Sequence, residues 1–544
     1  MAGTGGGGDG VGFSPTRTED DIVLARNKRW GQGRGLWLAC AFCVSLYLSY
    51  VTFLAQSALF KGMPETIYSL AWFVAYAVAW FAGLLWTFRR AGCGLRWIKA
   101  RRQKFPLRFF LLSAGIALLI TACSLLANYP GGISYDVYNQ WMQALTGEYN
   151  SWHPVFHTLL IRLGLLVTGQ YPLLLALQLV FFSLTMAYLA ATLATWGIPR
   201  GLVLVLQGLV ITSSIVCNSL MYLWKDNAMT MGAAVLCAQC LNVYFSKGEW
   251  IRKRRNAVMM GLMLCLITLV RHNGFFYTAP IIIILLLCYR QSLSRVLLIC
   301  GSAALSLLLV MGPLYGVLDI VHPHNTFEES VGIPMTMLLD VRVKNPGAMD
   351  AESRTFLDGL AEPEFVATHY RLGDYNSIKF AYPREKINAV PFSTLLRMVT
   401  STLRNDPLNS FEAFNAVTGL VWDVTGKNQG TVAVSNAGYL EAYPVQYSHV
   451  NQLGEKLENL FHIPLRLAPL RWVFENIGVQ MAILLVCGLW ALYRNGPRSL
   501  ILSLPMILYN LGTMLLLCGN DARFFQFFMV LALPSSLALC QRQN

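Results

Sequence analysis

Apolar runs of membrane-spanning length recur along the whole sequence, near residues 36–56, 67–87, 108–128, 171–195, 201–222, 228–245, 256–270, 275–289, 296–318, 476–493, 499–518 and 524–540. With 55% hydrophobic and only 13% charged residues, the chain carries more apolar surface than one soluble core can bury. In lipid, every backbone N–H and C=O must be paired within the segment, which leaves helices as the solution for such runs. The expected fold is therefore an all-α polytopic membrane protein, a bundle of about twelve transmembrane helices. Residues 1–35, Gly-rich and polar at their start, read as a disordered tail and not as a signal peptide.

Basic clusters fix the expected orientation. "ARNKRWGQGR", "RRAGCGLRWIKARRQKFPLR" and "SKGEWIRKRR" fall at alternate ends of the runs, and the positive-inside rule places them in the cytoplasm together with both termini. The net charge of +14 then reports membrane orientation and not nucleic-acid binding. The stretch "VFHTLLIRLGLLVTG", from residue 155, is too short to span and carries His157 and Arg162. It is expected to lie at the interface, with Phe156, Leu159, Leu160, Leu163 and Leu166 on one face and His157 and Arg162 toward water.

These readings divide the chain into a tail (1–35), two added helices and a basic loop (36–107), a core (108–318) whose first outer loop is 129–170, a mainly helical extracytoplasmic domain (319–475), and three C-terminal helices (476–544). The thirteen cysteines fall mostly in apolar runs, and Cys237-x-x-Cys240 reads as packing. "HPHN" at 322–325 offers two imidazoles without a third ligand, so no metal site is expected. Phosphate-binding glycine loops and nucleophile elbows do not occur.

On this topology the ionisable residues gather at the outer ends of the helices: Asp136, His153, Lys225, Asp226, Arg271, His272, Asp521 and Arg523. Each has a plain alternative. Asp136 is either a working carboxylate or a helix N-cap after "GGIS". Lys225 and Arg271 are either cations of a site or snorkelling cations. Arg523 either joins a site or pairs with Asp521, and Tyr135, Trp141 and Trp152 either stack on a ligand or form an interfacial belt. Lys225 and Asp226, adjacent on a helix, are not expected to pair with each other.

The order of an apolar helix, an acidic residue early in the first outer loop ("SYDVYNQW"), and a His-Pro step opening a Leu-rich interfacial helix ("WHPVFHTLLIRLGLL") resembles the GT-C membrane glycosyltransferases, protein O-mannosyltransferases among them. Val155 stands where their second proline usually sits, and Val137 where many carry a second acid. From about residue 108 onward the chain is also similar to a bacterial multi-pass membrane family, domain of unknown function 6020, through "GGISYDVYNQWMQA", "SWHP", "LWKD", "RHNG", "ESVGIPMTMLL", "HYRLGDYNSIKF" and "NDARF".

The resemblance implies a GT-C-like bundle and a hexosyltransferase-like enzyme in the bacterial cell membrane. Its extracytoplasmic site would move a sugar from a polyprenyl-phosphate carrier to an envelope glycan, lipid or protein. It implies Asp136 as base and His153 as its companion, with Lys225, Arg271 and Arg523 binding the phosphate. Tyr135, Trp141, Trp152, Asp226 and His272 would contact sugar or acceptor. The donor is a substrate, so no cofactor is expected. The competing reading is a lipid or solute transporter, which usually hides ionisable groups at mid-membrane and shows matched halves.

Overall fold

The computed structural model describes residues 19–56, 65–94, 100, 102–322, 327–427, 430–435 and 449–541. Its regular structure is helical; the extended pairings among the described residues are isolated bridges, Asn150 with Val321 and Arg371 with Asp374. Of the expected tail, residues 1–18 lie outside the described residues, and a helix runs from Glu19 to Gln56.

Eight helices among the described residues are long and apolar enough to cross a membrane: Gly35–Phe53, Leu70–Arg90, Leu107–Ala127, Tyr171–Thr195, Lys225–Phe245, Arg290–Val317, Ile477–Asn495 and Ala522–Leu539. A ninth is reached if Arg200–Ile211 and Ser214–Leu220, bent by 68°, form one span. The count falls below the roughly twelve expected because polar and Pro/Gly breaks divide the other runs. Thr212, at the bend, returns its hydroxyl to the carbonyl of Gly208 at 3.0 Å. His272–Gly274 forms a 3₁₀ turn between Arg254–Val270 and Phe275–Cys288. Pro497–Leu502 is a second such turn, before Leu504–Met514.

The bundle is built by Leu107–Ala127 packing on Tyr171–Thr195, which packs on Lys225–Phe245, which in turn meets Gln526–Leu539. Ile477–Asn495 closes on the last of these, and its far side receives the two N-terminal helices through Trp37, Val44 and Phe88 against Leu489 and Trp490. Leu70, Val78 and Leu308 remain more than 60% exposed, a surface suited to lipid.

A second core gathers Val331, Leu338, Leu357, Tyr375, Leu395 and Met398 into a small helical domain over one end of the bundle. Pro407–Trp422 joins it to the membrane part, packing on Gly332–Lys344 while Ala413, Val417 and Leu420 enter the main core.

The His-Pro helix, Val155–Thr168, differs from expectation on its polar face. Leu160, Leu163 and Leu166 face outward, but His157 is buried and not in water. Gln140, on the neighbouring helix Tyr135–Thr146, supplies the reason: its Oε1 lies 3.3 Å from His157 Nδ1, and its Nε2 donates to Thr158 at 3.0 Å. Arg162 is half-buried and donates to Tyr149 Oη at 2.8 Å. The polar face of this helix is satisfied by protein, leaving the leucines for the surroundings.

Candidate functional site

The "GGIS" turn carries the site's first residue. A side chain at Gly132 would put its Cβ 2.5 Å from the Tyr222 ring, so only glycine lets the backbone pass and its N–H donate to Met221 O at 2.7 Å. Ser134, not Asp136, caps Tyr135–Thr146, its Oγ accepting from Val137 N at 3.4 Å. The same Oγ accepts from Trp224 Nε1 at 2.8 Å. Asp136 sits in the first helical turn, where the helix dipole favours its charge and its carboxylate is free to reach outward.

Three groups from distant parts of the chain meet that carboxylate. Arg523 Nη1 lies 3.2 Å from Oδ2, Lys225 Nζ 3.8 Å from Oδ2, and His153 Nε2 4.0 Å from Oδ1. Lys225 also approaches His153 Nδ1 to 2.9 Å, and since an ammonium only donates, Nδ1 accepts and the ring proton rests on Nε2. That N–H is buried, makes no hydrogen bond among the described residues, and points toward Asp136.

Burial works to raise the Asp136 pKa, but the charges of Lys225 and Arg523, with help from His153, outweigh it and hold the carboxyl far below its ordinary range. Burial, reinforced by Lys225, pushes the His153 imidazole down to about 3 against the opposing pull of Asp136. At neutral pH the pair is an ionised acid facing a neutral N–H donor.

Beside it lies a second, closed ion pair. Arg271 Nη1 contacts Asp226 Oδ1, both side chains being 5% exposed. Lys225 and Asp226, neighbours in sequence, thus take different partners. Phe524 touches both groups, with the guanidiniums of Arg271 and Arg523 each 4.9 Å from its centroid.

A cavity of about 610 Å³ opens at Arg523. Its wall includes Tyr222 and Trp224, whose rings stack at 4.0 Å and 3°, together with Asp374, Asn376, Asn520 and Asp521. Asp521 Oδ2 holds Arg523 Nε at 2.7 Å. Gly519 is required where the chain passes the small domain, since a Cβ there would lie 2.5 Å from Asp374 Oδ1. Asn376 N donates to Cys518 O at 3.2 Å, tying the domain to the same turn.

The pieces "LWKD", "RHNG", "SWHP", "HYRLGDYNSIKF" and "NDARF" are therefore joined in space. The model of the Family of unknown function (DUF6020) matches residues 145–535. The chain belongs to this family. No curated protein and no solved structure matches it. The segment matched to DUF6020 contains His153, Lys225, Asp226, Arg271, Arg523 and the cavity wall, and starts after Asp136.

Among the other expected contacts, Tyr135 is 63% exposed beside Asp136. Trp152 lies under the Arg384 guanidinium at 5.5 Å. His272 hydrogen-bonds to the backbone of Ser151 and Trp152, bracing the loop before His153, and burial lowers its pKa. Trp141 is buried in the core, its ring edge-on to Tyr171 at 5.3 Å, so its place is packing and not a ligand surface. Sequence reasoning missed Tyr222, Trp224, Asp374, Asn376 and Asn520. The signal for Trp224 was its position immediately before the Lys-Asp step. His322, from "HPHN", meets Ser151 Oγ at 2.9 Å, whereas His324 lies outside the described residues.

Proposed function

We propose that this protein is a membrane glycosyltransferase of GT-C type that transfers a sugar from a polyprenyl-phosphate carrier to a cell-envelope acceptor on the extracytoplasmic face. The observation that carries the reading is the gap between His153 Nε2 and Asp136 Oδ1, 4.0 Å across and backed by two cations. A hydroxyl seated there at ~2.8 Å from each atom accepts from the imidazole and donates to the carboxylate. Attack of that oxygen on the anomeric carbon forms the new glycosidic bond and breaks the bond to phosphate, with inversion. The hydroxyl proton passes to Asp136, and the polyprenyl phosphate leaves with the electron pair.

Negative charge then grows on the phosphate, where Lys225 and Arg523 are already in place. In the resting protein these cations make Asp136 a poor base. Their recruitment by the phosphate withdraws that support and raises its basicity toward the useful range. Arg271, neutralised by Asp226, takes no direct part. The stacked Tyr222–Trp224 pair and the amide and acid groups of the cavity suit a sugar ring and its hydroxyls.

The test compares envelope glycopolymers, glycolipids and surface proteins by mass spectrometry in cells carrying the wild-type chain, no chain, or Asp136→Asn. A sugar lost on deletion and not restored by Asp136→Asn is expected, with transfer lowered by about 10²–10⁴-fold. Full restoration by Asp136→Asn overturns the assignment of the base. An unchanged glycan profile on deletion, with movement of a lipid or solute altered instead, overturns the reading in favour of a transporter.

A further inference from the structure

The helix His449–His462 lies against the end of Leu107–Ala127, far in sequence from the residues it touches. Gly454 allows backbone contact with Leu126 and Ala127, and Asn451 Nδ2 donates to the carbonyls of Leu126, Ala127 and Tyr129 at 3.2–3.3 Å. This placement brings Glu458 and His462, one turn apart, onto Cys217 of Ser214–Leu220. Glu458 Oε1 is 3.9 Å from both Cys217 Sγ and His462 Nε2, and the three donor atoms lie within 4.8 Å of one another.

Cys217 is completely buried, while Glu458 and His462 are 19% and 25% exposed. Cys123, on the adjoining helix, is within electrostatic reach of Glu458 and Cys217, and Ser124 Oγ is 2.8 Å from Cys217 Sγ.

We infer that Cys217, Glu458 and His462 form a structural transition-metal site, with Zn²⁺ the best-fitting ion. Tetrahedral bonds of about 2.0–2.3 Å place ligand atoms roughly 3.3–3.8 Å apart, so the two 3.9 Å spacings close by a few tenths of an ångström and the Cys217–His462 spacing, within 4.8 Å, by up to about 1 Å. One sulfur, one imidazole and one carboxylate match zinc, whereas Mg²⁺ and Ca²⁺ select oxygen. Water completes the coordination.

The site's consequence is mechanical. Cys217 precedes Asn218, whose Nδ2 donates to Val432 O of the cavity wall at 2.7 Å, and the same segment runs on to Tyr222, Trp224 and Lys225. A metal at Cys217 fastens the surface helix to the segment bearing these residues. This inference is independent of the reaction proposed above.

The full chain, purified in detergent with any affinity tag removed, is supplied with Zn²⁺, desalted, and measured by inductively coupled plasma mass spectrometry. Retention of Zn²⁺ at one per chain and a thiolate-to-Co²⁺ charge-transfer band after cobalt substitution are expected. Cys217→Ser should abolish the band. His462→Gln, at a less buried position, should weaken Co²⁺ binding by more than the about 10–100-fold typical of outer ligand changes. His369→Gln, in the small domain, should change neither. Failure of the wild-type chain to retain Zn²⁺, or equal retention by Cys217→Ser and His462→Gln, overturns the assignment.

Discussion

Asp136 and Asp226 each face an arginine at the same end of the bundle, both guanidiniums lying against the Phe524 ring, yet their surroundings differ. Asp136 is 26% exposed, shares three nitrogen-bearing partners and borders a cavity through Arg523. Asp226 is 5% exposed and commits to Arg271. The first arrangement keeps an unfilled N–H and room for a ligand; the second spends its charge on holding helices together. Exposure and unsatisfied donors, more than the presence of an ion pair, distinguish a site from a strut.

The two acids are told apart most directly by replacing each in turn. Asp136→Asn should cost transfer by about 10²–10⁴-fold and lower thermal stability less than Asp226→Asn does, because Arg523 keeps Asp521 as its partner and faces the cavity. Asp226→Asn should do the reverse at the level of folding. It leaves Arg271 buried without a counter-charge and should destabilise the protein by about 3–5 kcal/mol, read from unfolding in detergent. Replacing the pair together, Asp226→Leu with Arg271→Met, should recover most of that loss, since well-packed apolar residues often substitute for a buried pair without penalty. A normally stable Asp226→Asn would remove the distinction.

Much of the site's polar inventory was legible because charge is scarce in this chain. Asp136, His153, Lys225 and Arg523 stood out as ionisable residues at helix ends, and the structure brings all four together. Long apolar helices were equally visible. The bend at residues 212–213 was not, because its apolar run continues on both sides of the break and only Thr212, Ser213 and Ser214 mark it. The cavity was hidden for a different reason: Trp224, Asp374 and Asn520 lie about 150 residues apart in sequence and follow no period. Their meeting depends on the small domain, through Gly373 and Gly519, and that is a tertiary fact. His157 was misplaced because hydrophobic periodicity identifies a polar face without saying whether water or Gln140 satisfies it.

Acid sharpens the comparison on the histidine side. Burial and Lys225 lower both His153 and His157 to about 3, so each remains neutral in the folded protein while an unfolded histidine protonates near pH 6.5. Their folded pKa values are depressed, so stability is full above pH 6.5 and falls as pH drops toward 3, levelling below that. The loss should approach about 1.4 kcal/mol per pH unit for each histidine within the window. The stabilisation from Asp136, also depressed, is full above the ordinary carboxylate range and is lost only below it. Denaturant unfolding between pH 7.5 and 5 should therefore steepen in the wild-type chain, and His157→Gln should remove about half of the slope. A slope unchanged in His157→Gln would mean that this imidazole is protonated when folded.

The smallest effect expected is at Trp224, where the open cluster meets its support. Trp224 Nε1 holds the Ser134 cap, its ring stacks on Tyr222, and Arg523 lies over it at 5.0 Å. Trp224→Phe keeps an aromatic face under the guanidinium but removes the N–H, a hydrogen bond worth about 0.5–1.5 kcal/mol. The loss falls on the first turn of the helix bearing Asp136, so it should appear as a roughly 2- to 10-fold lower kcat with little change in Tm. Trp141→Phe supplies the contrast, because Trp141 is similarly buried but packs edge-on against Tyr171. It should shift Tm and leave kcat alone. If both variants altered only Tm, Trp224 would be a packing residue like Trp141, and the support for Asp136 would have to come from the Gly132 turn and the salt bridges alone.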